Sequence, residues 1–234
     1  MKRMKGMVLT ALALGMLTAC GRSSLKETGV SVGKDGALTA EVFDRLDQNY
    51  YDAEELKTNV ESSVAEYNNG AGENAITVEK LEISEEGEVE LSMKYASCKD
   101  YMDFNNVDFY AGDITDGYND KGYRFETTFR QVEKGEIVGD EIEREEIFAG
   151  SNHPMIVFSE PMLVEVPGKI LYVSSNVEVT GKKTARMAGS AAAEETEAQS
   201  ETSGTEEDVQ EVAPMVESTG NTEDDVTLAY IIYE

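Results

Sequence analysis

The stretch ITVEKLEISEEGEVELSMKY, residues 76–95, predicts two antiparallel strands joined by a tight turn. From Val89 to Tyr95 every second residue is apolar, which is the period of a strand with one buried and one solvated face. The first half changes phase midway, and this predicts a β-bulge near Glu79 and Lys80. Such a half-apolar hairpin needs a covering layer, which its neighbours in the chain must supply.

An amphipathic helix is predicted directly before this hairpin. Asp52 can cap the helix, and Glu55 three residues later completes a capping-box pattern. Apolar residues recur at three- and four-residue steps over residues 53–67, which gives one apolar stripe. Asn-Asn-Gly at residues 68–70 predicts its end, because glycine tolerates the left-handed conformation past a helix.

A first hairpin is predicted upstream of the helix. Residues 30–32 and 38–43 are apolar or alternating runs, and Asp35-Gly36 lies between them. Asp-Gly between such runs is the strongest local signal for a hairpin turn.

Downstream of residue 95 the pattern returns to strands after a short helix. Ser97 with Asp100 predicts the start of that helix. The segment 112–122 has the composition of turns, and a strand is expected within residues 125–132. Further strands are predicted at residues 109–111, 155–158, 162–166 (followed by a Pro-Gly turn), 170–173, 177–179 and 184–187.

Residues 226–233 are apolar on both faces, which is typical of a strand at the centre of a sheet. We expect it to pair near the strand at residues 184–187. Taken together, the elements predict an α+β fold. Its mainly antiparallel sheet is built from β-hairpins, with one well-defined amphipathic helix and one or two short helices.

The first twenty residues have the three-part layout of a secretory signal. Residues 2–5 supply three basic side chains, residues 6–17 are uncharged and largely apolar, and small residues lead into Cys20. No other run in the sequence approaches the roughly 20 apolar residues of a transmembrane helix.

The end of this segment, Leu17-Thr18-Ala19-Cys20 followed by Gly21, resembles the lipobox of bacterial lipoprotein precursors. The resemblance implies that residues 1–19 are removed and that Cys20 carries a diacylglycerol thioether. Two or more acyl chains hold a protein stably at a membrane. The alternative is an ordinary cleaved signal with a chance cysteine nearby. Residues 167–174 and 228–233 also resemble small uncharacterised lipoproteins of Gram-positive gut bacteria, a group with no assigned activity to carry over to this chain.

The chain is strongly acidic, with 47 acidic and 20 basic residues and a net charge of −27. Such a surface repels phosphate backbones, so nucleic acid is a poor partner. Residues 189–225 contain 12 acids and no Lys or Arg. This segment buries too little apolar surface to offset an ordering cost of about 1–2 kcal/mol per residue.

The predicted organisation therefore has four parts. They are a signal peptide at 1–19, a lipidated tether at 20–29, a single α+β domain at 30–188 plus 226–234, and a disordered acidic insertion at 189–225.

The sequence offers few groups for catalysis. It has a single histidine, His153, and it lacks the nucleophile-elbow and glycine-rich phosphate-binding motifs. His153 lies among turn-forming residues before a predicted strand, which is typical of a loop histidine. Cys98 has no disulfide partner once Cys20 is acylated, and no basic cluster surrounds it. We interpret Cys98 as a packing residue.

The best candidate for a cation site comprises Asp113, Asp116, Asn119 and Asp120. Oxygen ligands clustered in a glycine-rich loop suit Ca²⁺, but their spacing does not match an EF-hand. The same residue types are common in ordinary turns, so a solvated turn is the favoured interpretation.

These observations predict a non-enzymatic, lipid-anchored extracytoplasmic domain at the cell membrane, without a cofactor. Its expected partners are the membrane, through the lipid on Cys20, and an envelope protein or ligand that the sequence does not identify. The alternatives are a hydrolase that uses acidic residues and a small solute- or Ca²⁺-binding lipoprotein.

Overall fold

The computed structural model describes residues 25–46, 52–150, 152–188 and 227–234. The predicted signal peptide, Cys20 and the predicted acidic insertion all lie outside these ranges. Within them the chain forms thirteen strands and four helices. The strands are β1 (Gly29–Val32), β2 (Leu38–Arg45), β3 (Ile76–Ile83), β4 (Glu88–Tyr95), β5 (Phe109–Asp113), β6 (Phe129–Glu133), β7 (Glu136–Ile142), β8 (Pro154–Phe158), β9 (Leu163–Glu165), β10 (Ile170–Ser174), β11 (Val177–Val179), β12 (Thr184–Met187) and β13 (Ala229–Tyr233). The helices are α1 (Ala53–Ala71), α2 (Cys98–Asn105), α3 (Ile114–Asn119) and α4 (Arg144–Ala149).

The α+β class is confirmed, with the strands divided between two mostly antiparallel sheets. Sheet A has seven strands in the order β11-β12-β9-β1-β2-β4-β3, and sheet B has six in the order β5-β8-β13-β10-β6-β7. The pairing of β1 with β9 in sheet A is parallel.

The hairpins predicted from local sequence are present in sheet A. β1 pairs with β2 around the Asp35-Gly36 turn, β3 pairs with β4, and β11 pairs with β12. The register of β3 against β4 shifts between Val78 and Lys80, so the predicted bulge is confirmed. It keeps the apolar residues of both halves of β3 on the inner face.

The last strand is central, as its two apolar faces predict, but its expected partner is wrong. β13 lies between β8 and β10 in sheet B, and all five of its residues are buried. The strand at Thr184–Met187 is β12, which belongs to sheet A. Burial on both faces identifies a central position without identifying the sheet.

Two apolar cores explain why β13 is buried on both faces. The first core lies between the two sheets and includes Val30, Tyr95, Phe158 and Ile231. The second core lies on the other face of sheet B. It is covered by Ile114 of α3, Ile147 of α4 and the loop residue Phe125, with Tyr230 of β13 among its members.

Helices α1 and α2 cover the first core beside β3 and β4. Asp52 caps α1 as predicted, because its carboxylate accepts hydrogen bonds from the amides of Glu54 and Glu55. The predicted end at residues 68–70 is too early. The helix continues to Ala71, and Gly72 ends it with φ at +130°. Ser97 caps α2 as predicted.

The middle of the chain differs most from the sequence prediction. Residues 112–122 contain α3 rather than turns alone, and residues 133–146 contain the whole of β7 and the start of α4. The strand expected at residues 125–132 begins only at Phe129, because Phe125 has φ at +54° and cannot continue a strand. The ring of Phe125 is nevertheless fully buried, stacked on Tyr230 at 4.9 Å between centroids.

The fold also begins earlier than the predicted tether boundary. Leu25 is buried, Glu27 pairs with Arg186 of β12, and Thr28 exchanges hydrogen bonds with the backbone of Phe43. In the part of the chain that the structure describes, no helix has both the length and the apolar character needed to cross a membrane.

Candidate functional site: a lysine-lined cleft

A cleft of about 620 Å³ opens at one end of the two sheets. It collects chain segments that are distant in sequence: the β1–β2 turn, the end of β5, the start of β8, the β9–β10 connection, the start of β12 and the end of β13. The lining residues are Val32, Gly33, Lys34, Gly36, Ala111, Gly112, Pro154, Pro167, Gly168, Lys169, Lys183, Tyr233 and Glu234.

Strand direction explains why these segments meet. β1 and β9 are parallel and both run toward the cleft, while β12 is antiparallel to β9 and starts there. In sheet B, β13 ends at the cleft and β8 begins there, because they are antiparallel. The cleft is therefore a product of the topology of both sheets.

The chain passes from sheet A to sheet B at Pro167, Gly168 and Lys169. The predicted Pro-Gly turn is thus a crossing between sheets. A Cβ atom on Gly168 would lie 1.4 Å from the carbonyl oxygen of Glu234, so only glycine allows this approach. The amide of Glu234 donates a 3.0 Å hydrogen bond to the carbonyl of Lys169. The crossing is thereby fixed to the end of β13.

Lys169 also binds the one side-chain carboxylate that lines the cleft. Its ammonium donates to Glu234 at 2.6 Å. This hydrogen bond and the accompanying charge attraction lower the pKa of Glu234, with a smaller contribution from His153. Glu234 is therefore ionised at neutral pH, and it offsets the charge of Lys169.

The other two lysines contribute charge that no described carboxylate offsets by an ion pair. Lys183 donates to the backbone carbonyl of Pro167 at 3.0 Å. Lys34 lies at the tip of the β1–β2 turn, where the carboxylate of the neighbouring Asp35 accepts a hydrogen bond from the amide of Ala37. The side chains of three lysines and one glutamate give the lining a side-chain charge of +2, in a chain whose net charge is −27.

This arrangement suits an anion. A lysine ammonium is a compact charge with three donors, and a hydrogen bond between it and an anionic oxygen is stronger than a neutral one. A volume of several hundred Å³ accommodates a small molecule. The glycines at the rim also allow a ligand to approach the backbone closely.

The residues singled out as a candidate cation site do not form one within the described structure. Asp113 ends β5, while Asp116 and Asn119 lie in α3 and Asp120 follows it. No group of three or more His, Cys, Asp or Glu side chains among the described residues is arranged to hold a metal ion.

Cys98 and His153 lie in the environments predicted from the sequence, the first as a packing residue and the second in a loop. Cys98 packs against the first core, and its thiol donates to the backbone carbonyl of Phe109 at 3.2 Å. Burial raises the pKa of this thiol, so little reactive thiolate forms at neutral pH. His153 precedes β8 in a loop, and its carbonyl accepts a hydrogen bond from the amide of Ile114.

The three lysines of the cleft are not among the residues predicted from the sequence to form a site. A signal was present, since each lies within two residues of a glycine in a turn: Lys34 near Gly36, Lys169 beside Gly168, and Lys183 near Gly181. Their convergence depends on the strand order, which local patterns do not reveal. No family model, curated protein or solved structure matches the chain. The cleft is therefore identified as a candidate site from its geometry and charge alone.

Proposed function

We propose that this protein is a lipid-anchored, extracytoplasmic binding protein of the cell membrane, and that the lysine-lined cleft binds a small anionic ligand. The observation that carries the proposal is the net positive lining of the cleft in a strongly acidic chain. The anchor follows from the lipobox-like end of the signal segment at Cys20.

Charge and reach both favour an anion at this site. Lys34 and Lys183 line the cleft from sheet A, and Lys169 lines it from the crossing into sheet B, so positive charge lies on more than one side of the same space. A hydrogen bond to a charged group contributes about 1.5–3 kcal/mol. Loss of one lysine is therefore expected to weaken binding by about tenfold or more.

The test is calorimetric titration of the full chain, extracted from bacterial membranes in detergent, with inorganic phosphate and with citrate. We expect binding of at least one of these anions, and weaker binding by Lys34→Gln and Lys183→Gln. Lys57→Gln is the matched control, because Lys57 lies on α1 and pairs with Glu54. The proposal is contradicted if neither anion binds, or if Lys57→Gln weakens binding as much as Lys34→Gln and Lys183→Gln do.

The proposed role is non-enzymatic. The single histidine and the missing nucleophile and phosphate-loop motifs support this part. Purified full chain should show no turnover of esterase, peptidase, phosphatase or glycosidase substrates. Reproducible activity that is abolished by changing a single Asp, Glu or Ser overturns it in favour of a hydrolase.

A further inference from the structure

The cleft lies at one end of the domain, and the chain enters β1 at the opposite end. β1 begins at Gly29 and runs to Val32 at the cleft, so the chain that precedes Gly29 lies at the opposite end. β12 runs the other way, since Arg186 pairs with Leu163 at the start of β9. Ala188, which follows β12, therefore also lies opposite the cleft.

The residues before β1 are fixed to that far end. Arg186 contacts the carboxylate of Glu27 at 3.1 Å, and Thr28 both donates to and accepts from the backbone of Phe43 at 3.0 Å. Leu25 is buried to 8% exposure. The connection between the lipid on Cys20 and the fixed part of the domain is therefore the short segment 20–24.

From this arrangement we infer that the cleft opens away from the membrane and takes a water-borne anion rather than a phospholipid headgroup of the anchoring bilayer. The inference rests on the proposed function for its lipid anchor and its anionic ligand. The orientation itself depends on where the chain enters the fold.

The length of the anchor segment limits how the domain can turn. Five residues span about 17 Å at most when fully extended. The distance from Gly29 to Lys34 along β1 and its turn is itself about 15 Å, and Thr28 is held still farther from the cleft, beside Phe43 of β2. A cleft in contact with the headgroups would therefore require an anchor segment stretched to its limit.

Electrostatics opposes this inference but is the smaller effect. Three cleft lysines are attracted to anionic headgroups. The free energy that each lysine contributes is comparable with the free-energy cost of ordering one residue. A stretched anchor orders five residues. The domain outside residues 1–20 and 189–225 also carries a charge of −18, which the same headgroups repel.

The orientation can be measured on the lipidated full chain in vesicles. A donor dye is placed on Lys182→Cys at the cleft end or on Ala188→Cys at the far end, in a Cys98→Ala background. Both positions are exposed, and the length of β12 separates them by about 20 Å. With acceptor lipids in the outer leaflet, we expect stronger energy transfer from position 188 than from position 182.

Equal transfer from the two positions, or stronger transfer from position 182, overturns the inference. Circular dichroism checks that each labelled chain is folded. Cys98→Ser replaces the background if Cys98→Ala does not fold.

The ligand source is tested with the same vesicles. Phosphate is titrated against the chain in phosphatidylcholine vesicles with and without phosphatidylglycerol. We expect equal affinity, because a cleft held farther from the surface than the Debye length, about 8–10 Å, is shielded from the lipid charge. Several-fold weaker phosphate binding with phosphatidylglycerol overturns the inference. Stronger transfer at position 188 with no binding of phosphate or of citrate supports the orientation and contradicts the proposed ligand instead.

Discussion

At the scale of single residues, Gly168 has the most exacting position in the cleft. The chain crosses there between the sheets, in contact with the backbone of Glu234. Replacement by alanine must displace that backbone, since the added Cβ would lie 1.4 Å from its carbonyl oxygen. Gly168→Ala is expected to lower the free energy of unfolding by about 3 kcal/mol, as measured by urea denaturation.

Gly70→Ala is the matched control for this substitution. Gly70 lies in α1, and a Cβ added there would meet nothing within 4 Å. Because alanine is the better helix former, the control should raise the free energy of unfolding by up to about 1 kcal/mol. If both variants change stability by the same amount, the close approach at Gly168 is not what constrains that position.

Buried tyrosines predict a loss of stability at alkaline pH. Burial raises the pKa of Tyr95 to about 12, and burial followed by the charges of Asp116 and Asp113 raises that of Tyr110 to about 12. In the unfolded chain tyrosine ionises near pH 10. A raised pKa in the folded state stabilises fully below the unfolded value, and that stability is lost as pH rises from about 10 to 12.

Ultraviolet titration of tyrosinate, together with urea denaturation at neutral pH and at about pH 11, checks this expectation. Some tyrosines should titrate near 10 and others only near 12 or with unfolding. Titration of every tyrosine in one step near pH 10, with unchanged stability, would show that none is buried in solution.

Some single-residue features could be predicted because their causes are local. Asp52 caps α1 with its own side chain, and the bulge at Glu79 follows from the phase of the residues around it. Phe125 shows the opposite case. Its positive φ is unfavourable for an aromatic residue. Packing of its ring against Phe129 and against Tyr230 stabilises this conformation, and Tyr230 lies far from Phe125 in the sequence.

At the scale of elements, β13 has the largest share of the interior relative to its length. All five of its residues are buried, and it forms ladders with both β8 and β10. Truncation after Met187 removes this strand and opens both cores. We expect the truncated domain to unfold or aggregate, as measured by circular dichroism and size-exclusion chromatography, because the lost burial exceeds a typical stability of 5–15 kcal/mol.

Replacement of the acidic segment is expected to lack this effect. The amide of Ala188 donates to the carbonyl of Asn176 at 2.7 Å, and the Asn176 side chain donates to the carbonyl of Leu228 at 3.0 Å. The segment thus leaves and re-enters the fold at one place. A short Gly/Ser linker for residues 190–224 should leave the melting temperature nearly unchanged. A fall as large as that caused by truncation would assign the acidic segment to the core.

Hairpins were the elements that sequence patterns predicted best. Their turns and alternating strands lie within twenty residues of each other, as in β3 and β4. The assignment of β13 to sheet B depends on contacts with β8 and β10, which no local pattern records. Helix α3 was missed because Asp113, Asp116 and Asn119 are residue types that favour turns.

At the scale of the whole molecule, the lipid anchor proposed at Cys20 would hold the domain at the membrane. A Cys20→Ser chain should lose metabolic labelling by fatty acid and leave the membrane fraction of a bacterial host, because the acylated thiol is gone. Fractionation with a labelled wild-type control measures this. Equal labelling of both chains contradicts lipidation at Cys20.

The cleft belongs to this scale as well, which is why residue patterns did not reveal it. Its three lysines come from three turns, and their approach depends on two sheets and the crossing at Gly168. From the excess of acidic residues in the sequence, we expect a surface that repels anions. The fold concentrates a few positive charges at one end and so creates a local exception.

The central place of β13 also bears on biogenesis. Ile231 pairs with Ile156, so sheet B is incomplete until residues 229–233 have been synthesised. Contacts of such long sequence separation form slowly. For the export proposed above, this order of synthesis favours a chain that is still unfolded when it reaches a translocation pore, with folding deferred to the far side of the membrane.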